Sequence, residues 1–241
     1  MTTKWQSSIP ERYLLNVSPN AIHVDLGCGA LPRNPLGAKH VFGIDVLEKP
    51  FFEVVKDSLE YKQVFHGSLL PFESNEVDSV SAFDFLEHIP RSDRLPNGEY
   101  TNPFIEMMNE IHRILKPGGI FIALTPCFPS AAAFTDPTHV NFITEETHLY
   151  FSGPNYAKTK GYGFTGEFNI VEADWSDWKG YLWDTFASKE INIFKPLRPT
   201  SSKRYKSSLK QLKFMLRKRI TGHTGETHFI WVLEKPDNQT K

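Results

Sequence analysis

The chain alternates short apolar runs with stretches patterned as helix. Ile22–Leu26, Val41–Ile44 and Val77–Phe83 are apolar runs of strand length, and Ile120–Leu124 is a fourth. Between the third and fourth, Phe104, Met107, Met108, Ile111 and Leu115 recur at three- and four-residue steps. That spacing predicts a helix over Pro103–Leu115 with one apolar face. Lys116-Pro117-Gly118-Gly119 ends it with a basic last turn, a helix breaker and two glycines. His228–Leu233 predicts a last strand, closed by Glu234-Lys235-Pro236. Strands alternating with helical stretches predict βαβ units and a parallel sheet.

Two regions break the alternation. Residues 125–181 are aromatic and rich in turn formers, which predicts an irregular excursion covering an acceptor, bounded at 126–185. Within it, the tryptophans and tyrosines at 175–183 either shape the acceptor pocket or simply pack. Residues 201–220 carry eight basic residues and no acid, with Leu209, Leu212 and Leu216 at helical spacing. They predict a basic helical insertion that docks on its own domain or rests on an anionic membrane or substrate.

The first apolar strand runs into Val24-Asp25-Leu26-Gly27-Cys28-Gly29. A ligand lying across the carboxyl end of a parallel sheet must approach the backbone closely, and glycine permits that. Asp45, eighteen residues past Gly27, ends the second strand, where an acid accepts ribose hydroxyl protons. A dinucleotide fingerprint requires a third glycine where Pro32 stands, so a pyrophosphate turn is not expected. Asp25 beside the glycines repels a phosphate and suits an ammonium group.

A chain of 241 residues fits one α/β domain, so a single domain over 1–241 is expected. The net charge of -1 says nothing about nucleic acid or membrane partners; no DNA partner is expected. Two isolated cysteines, Cys28 and Cys127, make neither a disulfide framework nor a zinc pattern. No secretory signal and no membrane-length apolar run is seen, and a cytoplasmic location is expected.

Five motifs in order resemble the class I S-adenosylmethionine-dependent methyltransferases, especially the type 11 subgroup. They are Val24–Gly29, Gly43-Ile44-Asp45, Leu70–Val80, Leu86-Glu87-His88-Ile89 and Glu110–Gly119. The resemblance covers roughly residues 11–126. It implies a doubly wound, Rossmann-like, mostly parallel seven-stranded sheet with helices on both faces and the last strand antiparallel. It implies S-adenosylmethionine over Gly27, Cys28 and Gly29, with Asp25 at the methionyl ammonium and Asp45 at the ribose. Gly67, Ser68 and Leu69 fall near the adenine, although many relatives have an acid where Ser68 stands. Phe83 lines the methionine side.

Methyl transfer from a sulfonium is an in-line displacement in which alignment supplies much of the rate. A hydroxyl acceptor also requires a base. Two clusters offer one: Asp84, Glu87 and His88 after the fourth strand, and Asp136-Pro137-Thr138-His139 after the fifth. His139 is the preferred base, with Asp136 orienting it or the substrate. His88 is the second candidate, though a family histidine kept for packing fits as well. Asp84, Glu87 and His88 also resemble positions that bind a divalent metal in ubiquinone-pathway O-methyltransferases. Carboxylates with imidazole suit magnesium or manganese poorly to moderately, since both prefer oxygen, and an activity without metal is expected. The expected reaction is O-methylation of a small-molecule or sugar-like acceptor. The alternatives are an RNA or lipid-linked acceptor, or a binding module without catalysis.

Overall fold

The computed structural model describes residues 18–29, 32–47, 59–64, 69–152, 162–176 and 226–237. Its frame is one sheet. β1 (Ile22–Leu26), β2 (His40–Asp45), β3 (Leu59–Gln63) and β4 (Val77–Phe83) are followed by a two-stranded ribbon, β5 (Asp93–Arg94) and β6 (Tyr100–Thr101). Helix α1 (Pro103–Ile114) leads into the long β7 (Leu115–Phe128). After α2 (Ala132–Thr135) come β8 (Ile143–Thr144), β9 (Asn169–Ser176) and β10 (His228–Glu234). The strand order is β3-β2-β1-β4-β7-β10-β9, with β8 paired to the end of β7. The first five strands of this path run parallel, whereas β10 is antiparallel to both β7 and β9. This is the seven-stranded, mostly parallel sheet with an antiparallel last strand that the resemblance implied.

The pleat sorts the apolar residues onto two faces. Phe121 and Ala123 of β7 and Phe229, Trp231 and Leu233 of β10 join the core under α1. Ile120, Ile122 and Leu124, with Ile230 and Val232, face the opposite way and pack with Leu36 and Phe83. Helix α1 docks through Phe104, Met108, Ile111 and Ile114; the sequence spacing predicts the first three but not Ile114, whereas Met107 is only partly buried and Leu115 already belongs to β7. Each such side chain contributes about 1.5–3 kcal/mol by leaving water.

The structure departs from the sequence reading in two places. Lys116–Gly119 does not form a loop between α1 and the strand: β7 begins at Leu115. Gly118 donates its N–H to Lys235 O, and Lys235 donates back to Gly119 O, so the two glycines are held by the far end of β10. A Cβ at Gly119 would lie 2.8 Å from Lys116 O, which explains the glycine there. Residues 125–181 are not wholly irregular, because β9 lies among them. The β1–β2 connection, as far as described over 32–39, is a chain of turns stapled by Asn34 to Ala38. The basic segment 201–220 lies outside the described residues. Among the described residues, no helix is long and apolar enough to cross a membrane.

Candidate functional site

Two regions at the carboxyl end of the sheet carry chemistry. The first is the glycine turn after β1. Gly27 and Gly29 both take left-handed backbone, at φ 63° and 56°. A Cβ on Gly27 would lie 2.5 Å from the Phe85 ring, so this glycine is required by packing within the protein. A Cβ on Gly29 would meet nothing within 4 Å, which leaves an open approach to the backbone there. Asp45 Oδ2 accepts the Gly29 N–H at 2.8 Å, and its Oδ1 accepts the Leu47 N–H at 3.1 Å. The acid therefore sits at the glycine turn, with lone pairs left for hydroxyl donors.

Asp25 is fully enclosed. Ser81 Oγ donates to its Oδ1 at 2.5 Å, and the Arg33 N–H donates to Oδ2 at 2.8 Å. Behind Ser81 stands His23, whose Nε2 is 2.9 Å from Ser81 Oγ and whose Nδ1 is 2.7 Å from Ser79 Oγ. The β1–β4 register puts His23 opposite Ser79 and Asp25 opposite Ser81. Since Ser81 spends its proton on Asp25, His23 Nε2–H donates to Ser81, and Ser79 donates to Nδ1. Burial pushes Asp25 up to about 6 and His23 down to about 3, so the imidazole is neutral. Asp25 thus anchors the Arg33 loop.

The remaining proposed cofactor residues divide. Cys28 is buried, its thiol held well above the usual range by burial, and its Sγ would crowd a Cβ at Gly43. Phe83 is a core residue, 1% exposed, with the Arg33 guanidinium 5.1 Å above its ring. Leu69 is 75% exposed. Gly67 and Ser68 lie outside the described residues. Open backbone at Gly29 beside a strand-end acid at Asp45 fits a ribose-bearing ligand.

The second region is a cleft of about 630 Å³ lined by Asp84, Glu87, His88, Asp136, His139 and His228, among others. Residues far apart in sequence meet here because the 136–142 loop is stapled onto the one-turn helix Leu86–His88. Val140 and Asn141 both donate backbone N–H to Glu87 O at 2.9 Å. Asn141 Nδ2 donates to Leu86 O, and Arg91 donates from Nε to Asn141 Oδ1 and from its terminal nitrogen to Phe142 O. The two candidate clusters of the sequence are one site.

Within it, His139 Nδ1 lies 3.2 Å from Ala133 O, so Nδ1 carries the proton and Nε2 keeps its lone pair. That Nε2 is 4.0 Å from Glu87 Oε1. His88 and His139 rings meet edge-on with centroids 4.9 Å apart. His88 Nδ1 lies 3.3 Å from Thr138 O, and Thr138 Oγ1 donates to Asp136 Oδ1 at 2.7 Å. That hydrogen bond holds the exposed Asp136 carboxyl below its usual range, so Asp136 shapes the loop and does not touch His139 Nε2. Glu87 is 1% exposed; its Oε2 accepts from Thr125 Oγ1 at 3.0 Å, and its Oε1 has no hydrogen-bond partner among the described residues. Burial, and next the Asp84 charge, push Glu87 up to about 8. Asp84 itself turns aside, in left-handed backbone at φ 50°, with its Oδ1 3.1 Å from His228 Nε2. His228 and Thr125 entered the site unannounced by the sequence, since each reads as an ordinary strand residue.

Comparison with known proteins agrees with this architecture. Residues 24–123 match the family model described as a methyltransferase domain. The chain is 30% identical over 131 residues to demethylmenaquinone methyltransferase of Staphylococcus epidermidis, covering 50% of this chain and 49% of that one. It therefore spans about half the length of the curated relatives it matches. Among solved structures, an S-adenosylmethionine-dependent methyltransferase from Archaeoglobus fulgidus superposes with a TM-score of 0.54 at 15% identity, covering 96% and 93% of the two chains. The [4+2]-cyclase SpnF superposes with a TM-score of 0.52 at 16% identity, covering 96% and 80%. Sheet order and the match over residues 24–123 give this chain the fold of the S-adenosylmethionine-dependent methyltransferases, with a methyltransferase-domain match over that segment.

Proposed function

We propose that the protein transfers a methyl group from S-adenosylmethionine to an oxygen of a small-molecule or sugar-like acceptor held in the Glu87–His139 cleft. When bound, the cofactor supplies an electrophilic methyl whose C–S bond breaks as the O–C bond forms, the electron pair passing to sulfur. Gly29 gives it backbone access, Asp45 takes the ribose, and Asp25 holds the Arg33 loop beside it. Phe85 joins the two halves: it packs against Gly27 on one side and follows Asp84 of the cleft on the other. His139 and His88 keep ring lone pairs that lower the cost of ionising the acceptor hydroxyl, and Asp136 keeps their loop in place. The observation that carries the reading is this meeting of fixed imidazoles with a buried carboxyl beside the glycine turn.

One observation favours a second acceptor class. Phe134 and Phe142 stack at 4.9 Å, with Phe128 edge-on to Phe134 at 6.4 Å, and all three are about half exposed. Phe134 adjoins Thr135 of the cleft wall. A planar aromatic acceptor stacks on such a surface, and the staphylococcal relatives are named for a quinone. The test is release of S-adenosylhomocysteine in the presence of sugar, phenol and quinol acceptors. Turnover with a hydroxyl acceptor supports the first reading, and turnover at a ring carbon supports the second. Failure to bind S-adenosylmethionine in titration would sink both.

A further inference from the structure

We propose that Glu87, His88 and His139 bind one divalent transition-metal ion in the cleft. The three residues each bring a ligand atom, and these atoms lie within 4.8 Å of one another. Donors on a single ion at ~2.1 Å bonds stand up to ~4 Å apart, so small side-chain rotations close the set. The proton inventory supports it. His139 Nδ1–H is spent on the Ala133 carbonyl and His88 Nδ1 on Thr138, which leaves each Nε2 as a bare lone pair. Metal-ligating histidines are oriented by such an outer hydrogen bond. Glu87 repeats the pattern: Thr125 satisfies Oε2, while Oε1 is buried, unpartnered and 4.0 Å from His139 Nε2. Two buried polar atoms facing each other at 4.0 Å without a hydrogen bond are costly, and a shared cation satisfies both.

The ligand set decides the metal. Two imidazoles and one carboxylate suit zinc, iron(II), cobalt or manganese, whereas magnesium and calcium prefer oxygen alone. Asp84 is not in the set, because it pairs with His228 beside the cleft. His139, from a loop some fifty residues further on, stands in its place. The expectation of metal independence considered only the local run Asp84, Glu87 and His88, and the fold brings a different trio together. For catalysis it would change one role in the proposed function: with both Nε2 atoms on an ion the imidazoles would no longer take the acceptor's proton, and the ion would instead ease its loss to solvent. For binding it stands alone.

The test strips the full chain with a chelator and titrates Zn²⁺, Mn²⁺ and Mg²⁺ separately by calorimetry, with Mn²⁺ also followed by electron paramagnetic resonance. One Zn²⁺ or Mn²⁺ per chain is expected, with Mg²⁺ at least ~100-fold weaker. Glu87→Gln and His139→Asn should each weaken binding by ~100-fold while circular dichroism stays unchanged, and Asp84→Asn should change it by less than ~5-fold. Thr125→Ala frees Glu87 Oε2 without replacing a ligand, and should weaken binding by ~10-fold. Absence of bound ion, or affinity indifferent to both Glu87→Gln and His139→Asn, overturns the site. Methyl transfer that persists with no ion bound would overturn the ion's part in catalysis while leaving the proposed function standing. Ion binding without any methyl transfer does the reverse.

Discussion

Burial of His23 and Asp25 in one hydrogen-bonded row gives the fold a proton balance of its own. With His23 near 3 in the fold against 6.5 free, the unfolded chain holds the extra proton between those values. Stability from His23 is complete above pH 6.5 and lost as pH falls toward 3, at about 1.4 kcal/mol per pH unit. Asp25 acts oppositely: near 6 in the fold against 3.8 free, it makes the folded state hold the proton. Its contribution falls as pH rises from 3.8 to 6. Between pH 3.8 and 6 the two slopes cancel. Asp25→Asn should therefore uncover a steep gain of stability with pH, about 2–3 kcal/mol between pH 4 and 6 relative to the native chain. His23→Gln should uncover the opposite slope. Denaturant unfolding at pH 4, 5 and 6 measures both, and parallel curves for all three proteins would dismiss the balance.

Elements with a strong hydrophobic period were readable before any coordinates. Val77–Phe83 and the apolar face of α1 fell where the spacing put them, because a buried strand and an amphipathic helix each leave a repeating pattern. Ile111, fully buried under the sheet, illustrates the consequence: Ile111→Ala should cost about 2–5 kcal/mol in chemical unfolding. Strands β3 and β9 were not read. Leu59–Gln63 and Asn169–Ser176 are partly exposed edge strands whose burial pattern does not alternate cleanly, so backbone pairing places them. Nor does local sequence announce the meeting of His139 with Glu87, which depends on backbone donors from Val140 and Asn141 and on Arg91. Arg91→Ala should leave the sheet intact but free the loop. We expect a loss of ~10-fold or more in turnover, or in metal affinity, with an unfolding midpoint within a few degrees of the native one. A large fall in the midpoint would instead make Arg91 a general structural residue.

At the scale of the whole molecule, the sheet fixes where a ligand sits but not what is done to it. The likeness to both a methyltransferase and a [4+2]-cyclase makes that plain. Cofactor use must be argued from the glycine turn, where the two glycines have different reasons to be glycine. Any side chain at Gly27 collides with Phe85 and is strained at φ 63°, so Gly27→Ala should destabilise the fold by about 2–5 kcal/mol. Gly29 faces open space, so Gly29→Ala carries only the left-handed backbone penalty of about 1–2 kcal/mol, yet its methyl would stand in the path proposed for the cofactor. Asp45→Ala removes the acceptor for the Gly29 and Leu47 amides together with the proposed ribose partner. Hydrogen bonds to a charged group are worth about 1.5–3 kcal/mol. Calorimetric titration with S-adenosylmethionine should therefore show ~10- to 100-fold weaker binding for Gly29→Ala and at least as great a loss for Asp45→Ala. Thermal unfolding should separate Gly29→Ala, close to native, from Gly27→Ala, clearly lowered. Native cofactor affinity in both Gly29→Ala and Asp45→Ala would move the cofactor away from the end of β1, and the cleft at Glu87 and His139 would lose its methyl donor.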